Sequence, residues 1–289
     1  MKAQKNKNFN INKIKEASII KIAFQGERGS FSEIVSNKLF EKSILFPCKT
    51  FKQVFSKINS NEVDMGVVPV ENSIVGRIRE STSLLLDSGL QIINEAMLKI
   101  VHCLISKDNM RLENITRVYG HPEALAQCNN FLETLNSEIV SWHDGAGAAK
   151  IIKKEKKSAL VASKRVAALH NLYILKESIQ DSTDNTTRFF VLSKDKTSST
   201  GNDKTTLAFI TDHQPGALLR ALKPIADNNI NMTRLESMPL KGKSWQYMFL
   251  IDFVGHQKDP HIVKMLLELK ERNSVVKILG SYPTGKYFD

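Results

Sequence analysis

Cysteine is scarce in this chain, and the three present, Cys48, Cys103 and Cys128, stand far apart. They show no CxxC spacing and no paired histidines beside them, which excludes a disulfide framework and a thiolate zinc site and fits a reducing compartment. No apolar run reaches the roughly 18 residues that a membrane-spanning helix needs, and no signal-peptide-like apolar stretch precedes the first strand. The expectation is a cytoplasmic protein with no membrane partner. Also missing are a P-loop, a GxGxxG fingerprint, clustered metal ligands and a recognisable Ser-His-Asp or Cys-His order, so neither a metal nor another cofactor is expected. The net charge of +11 is not organised for nucleic acid. Its densest groups, the tail lysines (Lys2, Lys5, Lys7, Lys13, Lys15) and the run KKEKK at 153–157, carry no interleaved aromatics and no nucleic-acid motif.

What is there suits an α/β protein. With 289 residues, 42% of them hydrophobic, the chain can bury the cores of two domains, or of one domain and a smaller module. After a polar basic tail (1–17), SIIKIAFQG (Ser18 to Gly26) reads as a strand ending in Gly, and strand-then-helix patterns recur at ILF before FKQVFSKI and at MGVVPV before the helix around Arg79 to Asp87. Such alternation implies a parallel sheet covered on both faces. QIINEAMLKIVHCLIS carries the chain into a second set of strand-helix units, TRVYGHP, EIVSWHD and SALVAS each with its following helix, and TRFFVLS returns as a late strand. The expected division is a catalytic region at 18–193, with lobe 1 at about 18–96 and 180–193 and lobe 2 at about 97–179. The polar stretch KDKTSSTGND (194–203) reads as a linker. From 204 to 289 the order βαββαβ, with a hairpin turn at Gly242-Lys243, describes a small ferredoxin-like unit.

Five polar loops fall at expected strand ends. GERGSFSE (Gly26 to Glu33) joins glycines and serines between a strand and a helix, a place where backbone N–H groups can face an anion. PVENSIVGR (Pro69 to Arg77) packs Glu71, Asn72, Ser73 and Arg77 into one strand-end loop. YGHPEALAQC sets His121 before a helix and Gln127 along it, HDGAGAAK has small residues at a helix start, and DNTTRFF places hydroxyls beside a guanidinium. Taken singly, each loop fits ordinary helix capping, turns or close packing as well as a ligand. Together they describe one cleft between two lobes, rich in neutral donors, suited to a small carboxylate-bearing substrate that needs orientation more than a strong base.

The order and wording of GERGSFSE, PVENSIVG, HPEALAQC, DGAGAA and NTTRFF closely resemble the prephenate dehydratase family, arogenate dehydratases included, from about Lys21 to Ser193. The module after the linker resembles an ACT domain, with GALL at Gly216 to Leu219 and ESMP at Glu236 to Pro239. The resemblance implies two lobes of the type II periplasmic-binding-protein kind plus a ferredoxin-like βαββαβ ACT domain. It implies decarboxylating dehydration of prephenate to phenylpyruvate, with arogenate as the alternative substrate. By resemblance Thr187, Asn72 and Gln127 are catalytic, and Ser30, Phe31, Ser73, Gly76, His121, Asp144, Gly145, Ala146, Arg188 and Phe189 bind substrate. Arg188, Ser73 and the helix starts at Ser30 and Gly145 are expected to receive the two carboxylates. Gly216, Ala217, Leu218, Glu236 and Ser237 are expected to bind phenylalanine as an effector, at a seam that requires a homodimer or homotetramer. Three departures from the family pattern stand out: Arg28 for a proline, Gly145 for a threonine and Met238 for an arginine. A binding protein without turnover is the competing class, against which the intact Thr187, Asn72 and Gln127 set argues.

Overall fold

The computed structural model describes residues 19–143, 145, 147–240 and 247–289. The basic tail, Asp144, Ala146 and the hairpin turn expected at Gly242-Lys243 lie outside the described residues. The chain begins with β1 (Ile20–Gln25), α1 (Phe31–Leu39), β2 (Ser43–Cys48), α2 (Phe51–Asn59) and β3 (Met65–Asn72), then turns through β4 (Gly76–Arg77) into α3 (Arg79–Ser88). There follow β5 (Gln91–Lys99), β6 (Cys103–Ser106), β7 (Arg117–Gly120), α4 (Pro122–Ala126), α5 (Asn129–Leu132), β8 (Glu138–Ser141), α6 (Ala149–Ile152), β9 (Ser158–Ala162), α7 (Lys164–His170) and β10 (Tyr173–Lys176). After β11 (Thr186–Ser193) come β12 (Asp203–Ile210), α8 (Ala217–Asp227), β13 (Met232–Pro239), β14 (Tyr247–Val254), α9 (Pro260–Arg272), β15 (Val275–Pro283) and β16 (Lys286–Phe288).

By internal contacts the described residues form two compact units, one of residues 19–81, 96–189 and 287–289, the other of 82–95 and 190–286. The first contains two lobes. In lobe 1, β1 runs parallel to β2 and β3, with Ile22 opposite Leu45 and Met65. Ile22, Ala23 and Phe24 are all fully buried, the continuous apolar run that a strand covered on both faces demands. Side chains start the helices: Ser30 Oγ accepts from Glu33 N at 3.4 Å and Thr50 Oγ1 from Gln53 N at 3.2 Å. Gly66 lets α2 close on β3, since a Cβ there would stand 2.6 Å from Ile58 Cδ1.

Lobe 2 has the strand order β10-β6-β9-β7-β8. β7 is parallel to β8 and β9, but β6 is antiparallel to β9 and β10 antiparallel to β6. The parallel pairing expected from the strand-helix alternation is confined to β7, β8 and β9, the consecutive strands joined through helices, whereas β6 enters from β5, a strand of the other sheet, and runs against β9 and β10.

The second unit carries the βαββαβ order in a four-stranded antiparallel sheet, β13-β14-β12-β15. Leu207, Phe209, Ile251 and Phe253 of the strands pack with Ala221, Ile225, Ile262 and Met265 of α8 and α9. Among the described residues no helix is long and apolar enough to cross a membrane.

Candidate active site

An open cavity of about 240 Å³ in the first unit collects residues from both lobes. The loop from β1 to α1 contributes Gly29, Ser30 and Phe31, the end of β3 contributes Asn72, and β11 contributes Thr187 and Phe189. Lobe 2 supplies His121, Gln127, His143 and Gly145, and the segment between β5 and β6 supplies His102.

The β1–α1 loop is built to meet lobe 2. Gly29 adopts φ +94°, and a Cβ there would lie 2.6 Å from Val166 Cγ2. Ser163 Oγ donates to the Gly29 carbonyl at 2.6 Å, Glu33 Oε2 accepts from Gly29 N at 2.8 Å, and Arg165 Nε reaches the same buried carboxylate at 2.6 Å. The first turn of α1 therefore presents its backbone N–H groups from a fixed position, and such groups have no partner within the helix.

At the cavity wall the expected catalytic residues are joined by hydrogen bonds. Asn72 Oδ1 accepts from Ile74 N at 2.9 Å and Val75 N at 3.0 Å, closing the turn after β3 and fixing which end of the amide is which. Its Nδ2 must then donate, and it reaches Thr187 Oγ1 at 2.9 Å and Asn185 Oδ1 at 2.7 Å. Asn185 Nδ2 donates onward to Gln127 Oε1 at 2.7 Å, and His102 Nε2 lies 2.9 Å from that same oxygen. Each polarity follows from the one before. Thr187 Oγ1 is occupied as an acceptor, so its proton is left to donate, and the Gln127 Nε2 group has no protein partner among the described residues. Burial lowers the His102 pKa below the ordinary imidazole range and keeps the ring neutral, even against its hydrogen bond with Gln127.

Several expected site residues stand elsewhere. Arg188 does not line the cavity; neighbouring side chains on a strand point to opposite faces, and with Thr187 and Phe189 facing in, Arg188 faces out, 3.7 Å from Glu71 Oε2. Arg188, expected to receive a substrate carboxylate, is thus not among the lining residues, and none of the described lining residues is Lys or Arg. Ser73 is a strut and not a lining residue: its hydroxyl donates to Asp184 O at 2.5 Å and accepts from Thr186 N at 2.9 Å. Gly76 also stays off the lining; its φ of +84° shapes the turn that seats Asn72. His121 lines the cavity and caps α4, with Nδ1 accepting from Glu123 N at 3.3 Å. Gly145 lines it from the turn before α6 instead of from a helix start, 3.4 Å of Cβ clearance from Val161 O. Asp144 and Ala146, both expected to bind substrate, lie outside the described residues. Asn185, His102 and His143 were not singled out from sequence, although Asn185 sits inside the quoted DNTTRFF stretch and His143 opens the quoted HDGAGAAK stretch.

In the second unit, Gly216 takes φ +74° immediately before α8, Ala217 and Leu218 form its first turn, and Glu236 and Ser237 lie on β13. Glu236 Oε1 accepts from Arg234 Nε at 3.1 Å and Nη2 at 3.0 Å.

A two-lobed α/β region with a cavity of amides, hydroxyls and imidazoles defines a protein that binds a small polar organic molecule. The prephenate dehydratase family profile matches residues 22–197, and an ACT domain profile matches residues 205–271. The chain belongs to the prephenate dehydratase family. It is 38% identical over 268 residues to a bifunctional chorismate mutase/prephenate dehydratase of Aquifex aeolicus (strain VF5), covering 91% of this chain and 74% of the relative. It is 36% identical over 288 residues to arogenate dehydratase 2 of Petunia hybrida, covering 93% and 73%. The crystal structure of prephenate dehydratase from Arthrobacter aurescens in complex with L-Phe superposes with a TM-score of 0.84 at 28% identity, over 91% of this chain and 90% of that one. The two-lobed, periplasmic-binding-protein-like region and the ACT domain agree with the fold class expected from sequence.

Proposed function

We propose that this protein, acting as a cytoplasmic homo-oligomer without a cofactor, converts prephenate to phenylpyruvate in phenylalanine biosynthesis, with phenylalanine as its feedback effector. The observation that carries the reading is that Thr187, Asn72 and Gln127, which line one cavity, are joined by hydrogen bonds through the buried Asn185.

The reaction breaks two bonds. The electron pair of the C1–carboxylate bond enters the ring as CO2 leaves, the π electrons shift, and the C4–oxygen bond breaks with its pair on oxygen. That oxygen departs as hydroxide and takes up a proton to become water, and aromatisation supplies the driving force. A strong base has no role. What is required is a donor at the C4 oxygen and a fixed ring, so that both breaking bonds align with the π system. Thr187, whose acceptor capacity is taken by Asn72, donates to the leaving oxygen; Gln127 donates from lobe 2 to hold the substrate. The substrate carboxylates are received by the first turn of α1 at Ser30 and Phe31 and by Gly145, and not by a guanidinium. Phe189 packs against the ring.

In the second unit, the backbone at Gly216, Ala217 and Leu218 receives the effector carboxylate, and Glu236 and Ser237 complete the pocket across a seam between two subunits. Resemblance to arogenate dehydratase 2 supports a second reading, in which an amine replaces the keto group at the far end of the substrate. Steady-state rates with prephenate and with arogenate, each with and without phenylalanine, decide between them. Faster turnover of prephenate, reduced by phenylalanine, is expected. Faster turnover of arogenate reassigns the substrate, and turnover of neither makes this a binding protein.

A further inference from the structure

Resting on that reading, we infer that His102 is a positioning residue of the reaction: its neutral imidazole, protonated at Nε2, holds the Gln127 carbonyl and keeps the Gln127 amide N–H groups turned to the substrate. The tautomer follows from the network. Asn72 is fixed by the N–H groups of Ile74 and Val75, Asn185 is fixed by Asn72, and Asn185 Nδ2 requires Gln127 Oε1 to be an acceptor. An acceptor 2.9 Å from His102 Nε2 requires that nitrogen to carry the proton. His102 Nδ1 is then a bare lone pair, and it is buried with no partner among the described residues. A second proton at Nδ1 would meet no acceptor.

The ring is clamped in this orientation. Its residue is 3% exposed, its backbone N–H donates to Gln180 Oε1 at 3.0 Å, and its carbonyl accepts from Ile179 N at 3.0 Å. Phe31 meets the imidazole in a T-shaped contact, centroids 5.5 Å apart at 81°. Residues fixed on both sides of the cavity therefore hold one imidazole whose only polar contact among the described residues is the Gln127 carbonyl. Leaving a buried ring nitrogen unsatisfied is unfavourable, and an apolar residue of similar size would avoid it. The donor at Nε2 is the function that the ring supplies in return. With two donors on Oε1 the amide is held against rotation about its terminal bond; with Asn185 alone it is held at one point.

The test combines kinetics with a spectroscopic signature. His102→Leu is expected to lower kcat about 10- to 100-fold with KM changed less than about threefold, and His102→Gln, whose amide nitrogen reaches the place of Nε2, to recover most of the loss. Equal activity in both variants, whether normal or reduced, overturns the inference, because the ring donor would then be irrelevant. Imidazole 15N spectra of the wild-type protein, with His102 assigned through its contact to the Phe31 ring, stand independently of turnover and of how the variants fold. One protonated Nε2 and one bare Nδ1, persisting through the range where free imidazole titrates, is the expected result; an Nδ1–H tautomer or a doubly protonated ring overturns it. An enzyme inactive on both substrates but showing the Nε2–H tautomer would sink the proposed reaction while leaving the network intact.

Discussion

Replacing Thr187 by alanine is expected to lower kcat by about two orders of magnitude or more, roughly 2.7 kcal/mol of transition-state stabilisation, with KM little changed. A threonine hydroxyl is a weak acid, so its contribution must come from where its proton points. Asn72 Nδ2 occupies the oxygen at 2.9 Å, and Thr187 is buried, which leaves the O–H one useful direction. Thr187→Ser keeps that geometry and should retain most of the rate. Serine and alanine variants of equal activity would remove the hydroxyl from the mechanism.

Asn72→Asp should be almost as damaging at neutral pH, by about 100-fold in kcat, although it changes one atom. One carboxylate oxygen still accepts from Ile74 N and Val75 N, so the turn survives. The other stands where Nδ2 was, against Asn185 Oδ1 and near Thr186 O at 3.3 Å, and it draws the Thr187 proton toward itself. Burial among acceptors raises the pKa of the introduced carboxyl. As pH falls through that raised pKa the group becomes a neutral acid that can donate again, so activity relative to wild type should recover on the acid side. A pH–rate profile of the variant checks both parts; a variant as active as wild type at neutral pH contradicts the assigned polarity.

Much of this was legible in the sequence because the information was local. Gly-ended strands, Ser30 before a helix and the βαββαβ order each depend on neighbouring residues, and the structure has a helix or strand where they imply one. Thr187, Asn72 and Gln127 were named by resemblance, and the hydrogen bonds through Asn185 join them. Asn185 and His102 were hidden for the opposite reason. Asn185 is a linker between residues 113 positions before it and 58 positions before it, and nothing in its own neighbourhood distinguishes it from a turn asparagine. His102 follows a long apolar run, where a lone histidine is most simply a core residue. The direction of Arg188 is legible from the strand pattern. Once Thr187 faces the cavity, strand alternation sends the next side chain to the other face. Ser73 illustrates a further ambiguity: a hydroxyl in a strand-end loop serves a ligand or a neighbouring backbone equally well, and here it ties the β3 turn to residues 184–186.

The directional hydrogen bonding of the wall is the core of the account, and a crystal structure with an unreactive prephenate analogue that retains the C4 oxygen tests it most directly. The account predicts Thr187 Oγ1 about 2.7 Å from the C4 oxygen, with both analogue carboxylates on backbone N–H groups and away from Arg188. An analogue seated with its C4 oxygen beyond hydrogen-bond reach of Thr187, or with a carboxylate on the Arg188 guanidinium, would contradict it.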